Sequence, residues 1–225
     1  MIPTEGHSRK RVVVFISGGG SNMLTLAKAC ETTEWPAEIT CVISDQASAG
    51  GLAKAEALGI PTKVFERTAF ASKAEHEDAI LAELDEIGPD IICLAGYMRL
   101  LSADFIRRHE GKILNIHPSL LPLFPGLHTH QRAIDAGMKI AGCTVHFVTE
   151  GMDEGPIIAQ AAVPVLAQDT AETLAARILT VEHQLYPLAL KLVVEDKVRM
   201  EDGRAVTTSD ATAKLAEQRL ISGGL

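Results

Sequence analysis

The opening of this chain constrains its fold more than any other stretch. A β-branched run at residues 11–16 (RVVVFI) breaks into Ser17, Gly18, Gly19, Gly20, Ser21 and Asn22, then resumes as an amphipathic stretch over 23–30. β-Branched residues favour a strand, three glycines a tight loop, and apolar residues three and four apart a helix, so the unit reads strand, loop, helix. It recurs: a strand-like 38–43 precedes a helical 50–58, a short strand at 62–65 precedes a long helix at 72–87, and Gly88-Pro89 announces an apolar strand at 90–95. Strands and helices alternating at these lengths predict a parallel sheet with helices on both faces.

From residue 112 the pattern changes. A strand at 112–116 runs into HPSLLPLFPG (117–126), whose three prolines forbid a regular helix or central strand and leave an ordered loop. A helix at 129–136 ending at Gly137, strands at 142–148 and 157–165, a helix at 170–190 broken near Pro187, and a hairpin about Asp202-Gly203 complete the expectation. The fold class is therefore α/β: a single Rossmann-like domain over 11–206, mostly parallel, with an antiparallel C-terminal part. A polar leader (1–10) precedes it and a polar, helix-prone tail (207–225) follows. The domain divides into an N-terminal half, about 11–110, that carries the strand–helix repeats, and a C-terminal half, about 111–206, that carries the antiparallel part.

Charge and cysteine usage narrow the function classes. Lysine and arginine number 21 against 29 acidic residues, a net charge of -8. A chain this acidic has no general attraction for nucleic acid or anionic lipid. Its longest apolar run, 91–98, is far short of the roughly 18 residues of a membrane span. Arg9, Lys10 and Arg11 precede an apolar stretch as in a signal peptide, but that stretch meets the glycine loop without a cleavage site. Cys30, Cys41, Cys93 and Cys143 show no paired spacing, which suggests free thiols in a reducing cytoplasm.

Four constellations carry chemistry. The glycine loop offers successive backbone N–H groups and a helix N-terminus to a phosphate, or it is simply a tight turn capped by Ser21 or Asn22. Asn115 and His117 sit two apart at a strand end, so they share one side and suit a reaction in which charge develops on an oxygen while a proton moves. The bland reading is a histidine satisfied by a backbone carbonyl. His128 and His130, with His146 and His117, raise the question of a metal, but no carboxylate completes a recognised ligand spacing. Thr149, Glu150, Gly151, Met152, Asp153, Glu154 and Gly155 form an acidic glycine loop that is an ordinary turn or a source of a carboxylate for His117.

Taken in order, ISGGGSN (16–22), LAGYMRLLS (94–102), LNIHPSLLP (114–122), PGLHTH (125–130), VHFV (145–148) and DEGP (153–156) resemble the phosphoribosylglycinamide formyltransferases, the folate-dependent formyl transferases of purine synthesis. The likeness runs uninterrupted over about 11–198 and implies formyl transfer from 10-formyltetrahydrofolate to the amine of 5-phosphoribosylglycinamide, without a metal. It implies a catalytic group of Asn115, His117 and Asp153. Gly20, Ser21, Asn22 and Glu182 match the phosphoribosyl site. Lys73, Met98, Arg99, Leu100, Leu101, Asn115, Thr149, Glu150, Gly151 and Met152 match the folate site. Lys73 stands where some relatives carry arginine, which removes a bidentate contact, and Leu123 where some carry lysine.

In that reading Asn115 and protonated His117 meet the oxyanion, and Asp153 orients His117 and helps pass the amine proton to the departing folate nitrogen through water. The partners are small molecules, the compartment cytoplasmic, and the chain a monomer or homodimer. A 10-formyltetrahydrofolate hydrolase is the nearest rival. Such enzymes carry an extra N-terminal domain, for which a first strand at about residue 11 leaves no room. Formyltransferases acting on initiator tRNA add a C-terminal domain and need a basic surface, which the net charge opposes. A non-catalytic folate-binding module would have no use for Asn115, His117 and Asp153 together.

Overall fold

The computed structural model describes residues 9–208. Strands β1 (Lys10–Ile16), β2 (Ala37–Ser44), β3 (Thr62–Val64), β4 (Ile91–Leu94) and β5 (Ile113–His117) are parallel. β6 (Ile140–Phe147) and β7 (Ile157–Pro164) extend the same sheet antiparallel, giving the order β3-β2-β1-β4-β5-β6-β7. The winding direction reverses between β1 and β4, and open α/β sheets bind ligands beyond the carboxyl ends of their strands at such a point.

Alternate residues of β1 feed two cores, as the period of two in a strand requires. Val12, Val14 and Ile16 pack with helices α1 (Ser21–Ala29), α2 (Gly50–Ala57), α5 (Thr129–Asp135) and α6 (Ala171–Val194). Val13 and Phe15 pack with α3 (Lys73–Ile87) and α4 (Ala103–Arg108) on the opposite face. The sheet thus carries helices on both sides, as the sequence predicts. Strands β8 (Val198–Glu201) and β9 (Arg204–Thr207) form the expected hairpin, with Asp202 (φ 48) and Gly203 (φ 70) both left-handed, the geometry of a two-residue type I′ turn.

Two expectations need correction. The helix over 170–190 is not broken at Pro187: α6 runs on to Val194 with the proline inside it. Pro187 lacks the N–H that would reach back one turn, yet the buried stripe Leu174, Ile178, Val181, Leu185, Ala189, Leu190 and Val193 spans it, and tertiary packing outweighs the local cost. Tyr186, fully buried beside it, directs its hydroxyl at Leu94 O (3.0 Å) and Leu114 O (3.1 Å), bolting α6 to β4 and β5. The sequence reading also missed α4, whose six residues are capped by the Ser102 hydroxyl accepting from Phe105 N–H, and a single 3-10 turn at Arg67–Ala69.

The four cysteines are free and buried, and burial pushes the Cys30 thiol up to about 12 and that of Cys41 up to about 11. Among the described residues no helix is long and apolar enough to cross a membrane. The leader through residue 8 and the tail from residue 209 lie outside the described residues.

Candidate active site

The glycine loop leaves β1 and caps α1 with Gly20, whose φ of 67 is left-handed. A Cβ on Gly20 would lie 2.8 Å from the Gly51 Cα, so close approach to α2 and backbone conformation both demand glycine here. Gly51 N–H donates to Gly18 O at 3.0 Å and Lys54 Nζ to Gly19 O at 2.8 Å, so α2 occupies two of the loop's carbonyls. No side chain caps the first turn of α1, contrary to the reading in which Ser21 or Asn22 does so. The helix start keeps its N–H groups and positive dipole end for an anion. Asn22 instead donates through Nδ2 to Glu182 Oε2 at 2.7 Å, while its own Oδ1 is buried without a protein partner. Burial raises the Glu182 carboxyl above the usual range against the opposing pull of Asn22.

The second centre lies at the end of β5. Phe15, Leu94 and Asn115 are aligned across β1, β4 and β5, which sets Asn115 two strand spacings, roughly 10 Å, from the strand that feeds the glycine loop. Asn115 faces His146 on β6, and its Nδ2 lies 3.2 Å from His146 Nε2. Phe147 O, a pure acceptor, lies 2.8 Å from His146 Nδ1, so Nδ1 carries the proton, Nε2 accepts, and the Asn115 amide is fixed with its nitrogen toward His146. Burial lowers the His146 pKa and keeps the ring neutral for this role. Gly155 makes the arrangement possible: a Cβ there would stand 1.7 Å from Phe147 O and 3.2 Å from His146 Nδ1.

His117 is buried between two acceptors. Its Nε2 lies 3.0 Å from Phe124 O and its Nδ1 3.4 Å from Asp153 Oδ2, so a doubly protonated ring finds an acceptor at each nitrogen. Asp153 is held by Gly126 N–H at 2.8 Å, and its second oxygen is 3.9 Å from His146 Nε2. The four side chains therefore lie in one group made of two pairs, Asn115 with His146 and His117 with Asp153, which approach to 3.9 Å without a hydrogen bond. The proline loop that supplies these backbone partners is left-handed at Phe124 (φ 55), Gly126 (φ 76) and His128 (φ 58), and Asp153 is left-handed too (φ 55). Strain of this kind persists where surrounding contacts over-determine the backbone. Here Thr144 Oγ1 donates to Ser119 O (2.7 Å) and accepts from Leu121 N–H (3.0 Å), and Ser119 Oγ donates to Leu123 O (2.6 Å).

Beside this group lies a cleft of about 420 Å³, lined by Lys73, Tyr97, Arg99, Leu100, Leu101, Asn115, His146 and residues 148–153. Leu100, Met152 and nearby Met98 are exposed apolar side chains, Met98 at 65 %. Together they give a mixed wall suited to a ring system with a polar edge.

A formyl transferase family model matches residues 10–190. The chain belongs to the formyl transferase family. Among solved structures, phosphoribosylglycinamide formyltransferase from Brucella melitensis is 68% identical with a TM-score of 0.81, covering 89% of this chain and 100% of that one. Phosphoribosylglycinamide formyltransferase from Haemophilus influenzae is 46% identical over 205 residues, 91% of this chain and 97% of that protein. The trifunctional purine biosynthetic protein adenosine-3 of Bos taurus is 48% identical over 197 residues; these are 87% of this chain but 20% of that longer protein.

Within this formyl transferase, Asn115, His117 and Asp153 come together, as do Asn22 and Glu182. Lys73, Arg99, Leu100, Leu101, Thr149, Glu150, Gly151 and Met152 line one cleft. Glu150 is also paired with Arg107 Nη1 at 2.8 Å, and Lys73 with buried Glu77 at 3.6 Å. His128 is exposed at the head of α5, apart from this group. Among the described residues no cluster of three or more His, Cys, Asp or Glu could hold a metal ion. Leu123 is solvent-exposed. Sequence reasoning weighed His146 only as a metal ligand and missed its partnership with Asn115. The two are paired across β5 and β6 and so share a face of the sheet, but the register that pairs them is not written within either strand. Sequence reasoning also missed Asp45 and the Phe124 carbonyl.

Proposed function

We propose that the protein transfers the formyl group of 10-formyltetrahydrofolate to the amine of 5-phosphoribosylglycinamide, yielding the formylated glycinamide and tetrahydrofolate in purine biosynthesis. The observation that carries this reading is the group Asn115, His117, Asp153 and His146, opening on a folate-sized cleft and two strands away from an uncapped helix start suited to phosphate. Family membership and the names of the full-length relatives agree with it. The phosphate of the glycinamide substrate takes the N–H groups of Gly20, Ser21 and Asn22, with Glu182 near its sugar, and the donor takes the cleft from Lys73 to Met152.

In the reaction, the neutral amine attacks the formyl carbon and the carbonyl π electrons move onto its oxygen. That oxyanion is met by the free N–H of the Asn115 amide, fixed before the substrate arrives, and by the positive charge of protonated His117 beside it. The C–N bond to the folate nitrogen then breaks. The proton lost by the amine passes through Asp153 and water to that leaving nitrogen, so no net proton is consumed. The substrates are small molecules, and no step calls for a metal.

The reading is tested by following absorbance of 10-formyltetrahydrofolate with purified protein, with and without 5-phosphoribosylglycinamide. Deformylation that requires the glycinamide is expected. Equal rates without it identify a hydrolase, and no turnover in either case identifies a binding module.

A further inference from the structure

Asp45 directly follows β2 and is 3% exposed, yet it belongs to none of the residues assigned to chemistry or binding above. Burying a carboxylate is unfavourable unless it is paired and hydrogen-bonded. Its partners all lie at the carboxyl edge of the sheet. Arg99 donates from Nε to Asp45 Oδ2 at 2.7 Å. Asp45 Oδ1 is buried without a protein hydrogen bond, so Arg99 is its one close charged partner among the described residues. The carboxylate thus ties the end of β2 to the segment that follows β4, and these two strands flank β1 in the sheet. Burial opposes its ionisation, but the donors around it, Arg99 among them, overcome that and hold it below the usual carboxylate range.

The geometry at Arg99 is informative. Its Nε is used by Asp45, while neither terminal nitrogen has a protein partner among the described residues. The side chain is 43% exposed and lines the cleft. A guanidinium held at Nε leaves its planar pair of terminal N–H groups free for bidentate capture of a carboxylate. We propose that Asp45 is a positioning residue for the donor: it aims Arg99 at a carboxylate of the folate and anchors that arginine to the end of β2. This rests on the donor reading given above and names the device that orients one of its contacts.

The test is a double-mutant cycle of Asp45→Asn and Arg99→Ala, read as the Kd for tetrahydrofolate by calorimetry and as KM and kcat for the formyl donor. Asp45→Asn keeps the shape but removes the charge, and exchanging a charge-assisted bond for a neutral one is expected to weaken folate affinity roughly five- to tenfold. The donor KM should rise in parallel with kcat within about twofold, because the bond acts equally in ground and transition states. In the Arg99→Ala background, Asp45→Asn should have no further effect on Kd. Additive losses, or a fall in kcat with KM unchanged, overturn the positioning role. Should Asp45→Asn fail to fold, Arg99→Lys decides: an ammonium captured by Asp45 has no second nitrogen for the ligand, so its Kd should match that of Arg99→Ala, and recovery to the wild-type value overturns the proposal. Wild-type protein that binds no folate overturns both the functional reading and this inference, whereas wild-type binding unaffected by Asp45→Asn overturns the inference alone.

Discussion

At the end of β1 the protein presents backbone, and at the end of β5 it presents side chains. The first centre is a left-handed glycine, a helix start without a cap and two carbonyls tied back by α2. The second is a group of four polar side chains whose tautomers and orientations are set by the carbonyls of Phe124 and Phe147 and the N–H of Gly126. A phosphate needs only a cluster of N–H donors, which a turn supplies cheaply. An oxyanion that forms and disappears needs donors aimed within tenths of an ångström, and the backbone that partners His117 is left-handed at Phe124 and Asp153. The two centres should therefore fail differently when altered.

The largest effect is expected at the side-chain centre. Asn115→Ala should lower kcat on the order of 10²- to 10³-fold, the usual loss on removing an oxyanion donor, with substrate KM values little changed. His117→Ala should lose at least as much in the same steady-state assay, and near-normal turnover in that variant would remove it from the mechanism. The backbone centre is probed by Gly20→Ala. Left-handed backbone costs alanine about 1–2 kcal/mol, and the added methyl meets Gly51, so the KM for 5-phosphoribosylglycinamide should rise with the donor KM unmoved. Equal damage to both KM values would erase the distinction between the centres.

Further down the scale, Tyr186→Phe strips the hydroxyl that reaches two buried carbonyls. It should cost about 1–3 kcal/mol in denaturant unfolding while leaving kcat near the wild-type value. The smallest effect concerns pH. Burial holds His109, His130, His146 and His183 below the ordinary histidine pKa of 6.5. On unfolding they regain it, so below that value the unfolded chain binds more protons. Stability from these residues is intact above about pH 6.5 and falls as the pH drops toward their folded pKa values. A melting temperature that declines between pH 7 and 5, and declines less in His183→Gln, is the expected result.

The parts of this architecture legible in the sequence are those written locally. The glycine loop, the Asn115 and His117 pair two residues apart, the proline loop and the Asp202-Gly203 turn each declare themselves within a few residues. What stayed hidden is set by register between distant strands. His146 meets Asn115 from 31 residues away, Asp45 meets Arg99 from 54, and Glu182 meets Asn22 from 160; no local pattern encodes those meetings. Pro187 misled because its local preference to end a helix is outweighed by an apolar stripe that continues beyond it. Phe124 gave no signal, because a non-glycine residue gives no hint that its backbone is left-handed.

The central claim is that the side-chain group at β5 moves a formyl group from folate to an amine rather than to water. It is tested most directly by incubating the protein with 10-formyltetrahydrofolate carrying a ¹³C-labelled formyl group and 5-phosphoribosylglycinamide, then locating the label by mass spectrometry. Label recovered in the amide of the glycinamide, and lost from it in Asn115→Ala, is the predicted result. Label recovered as free formate would contradict the account.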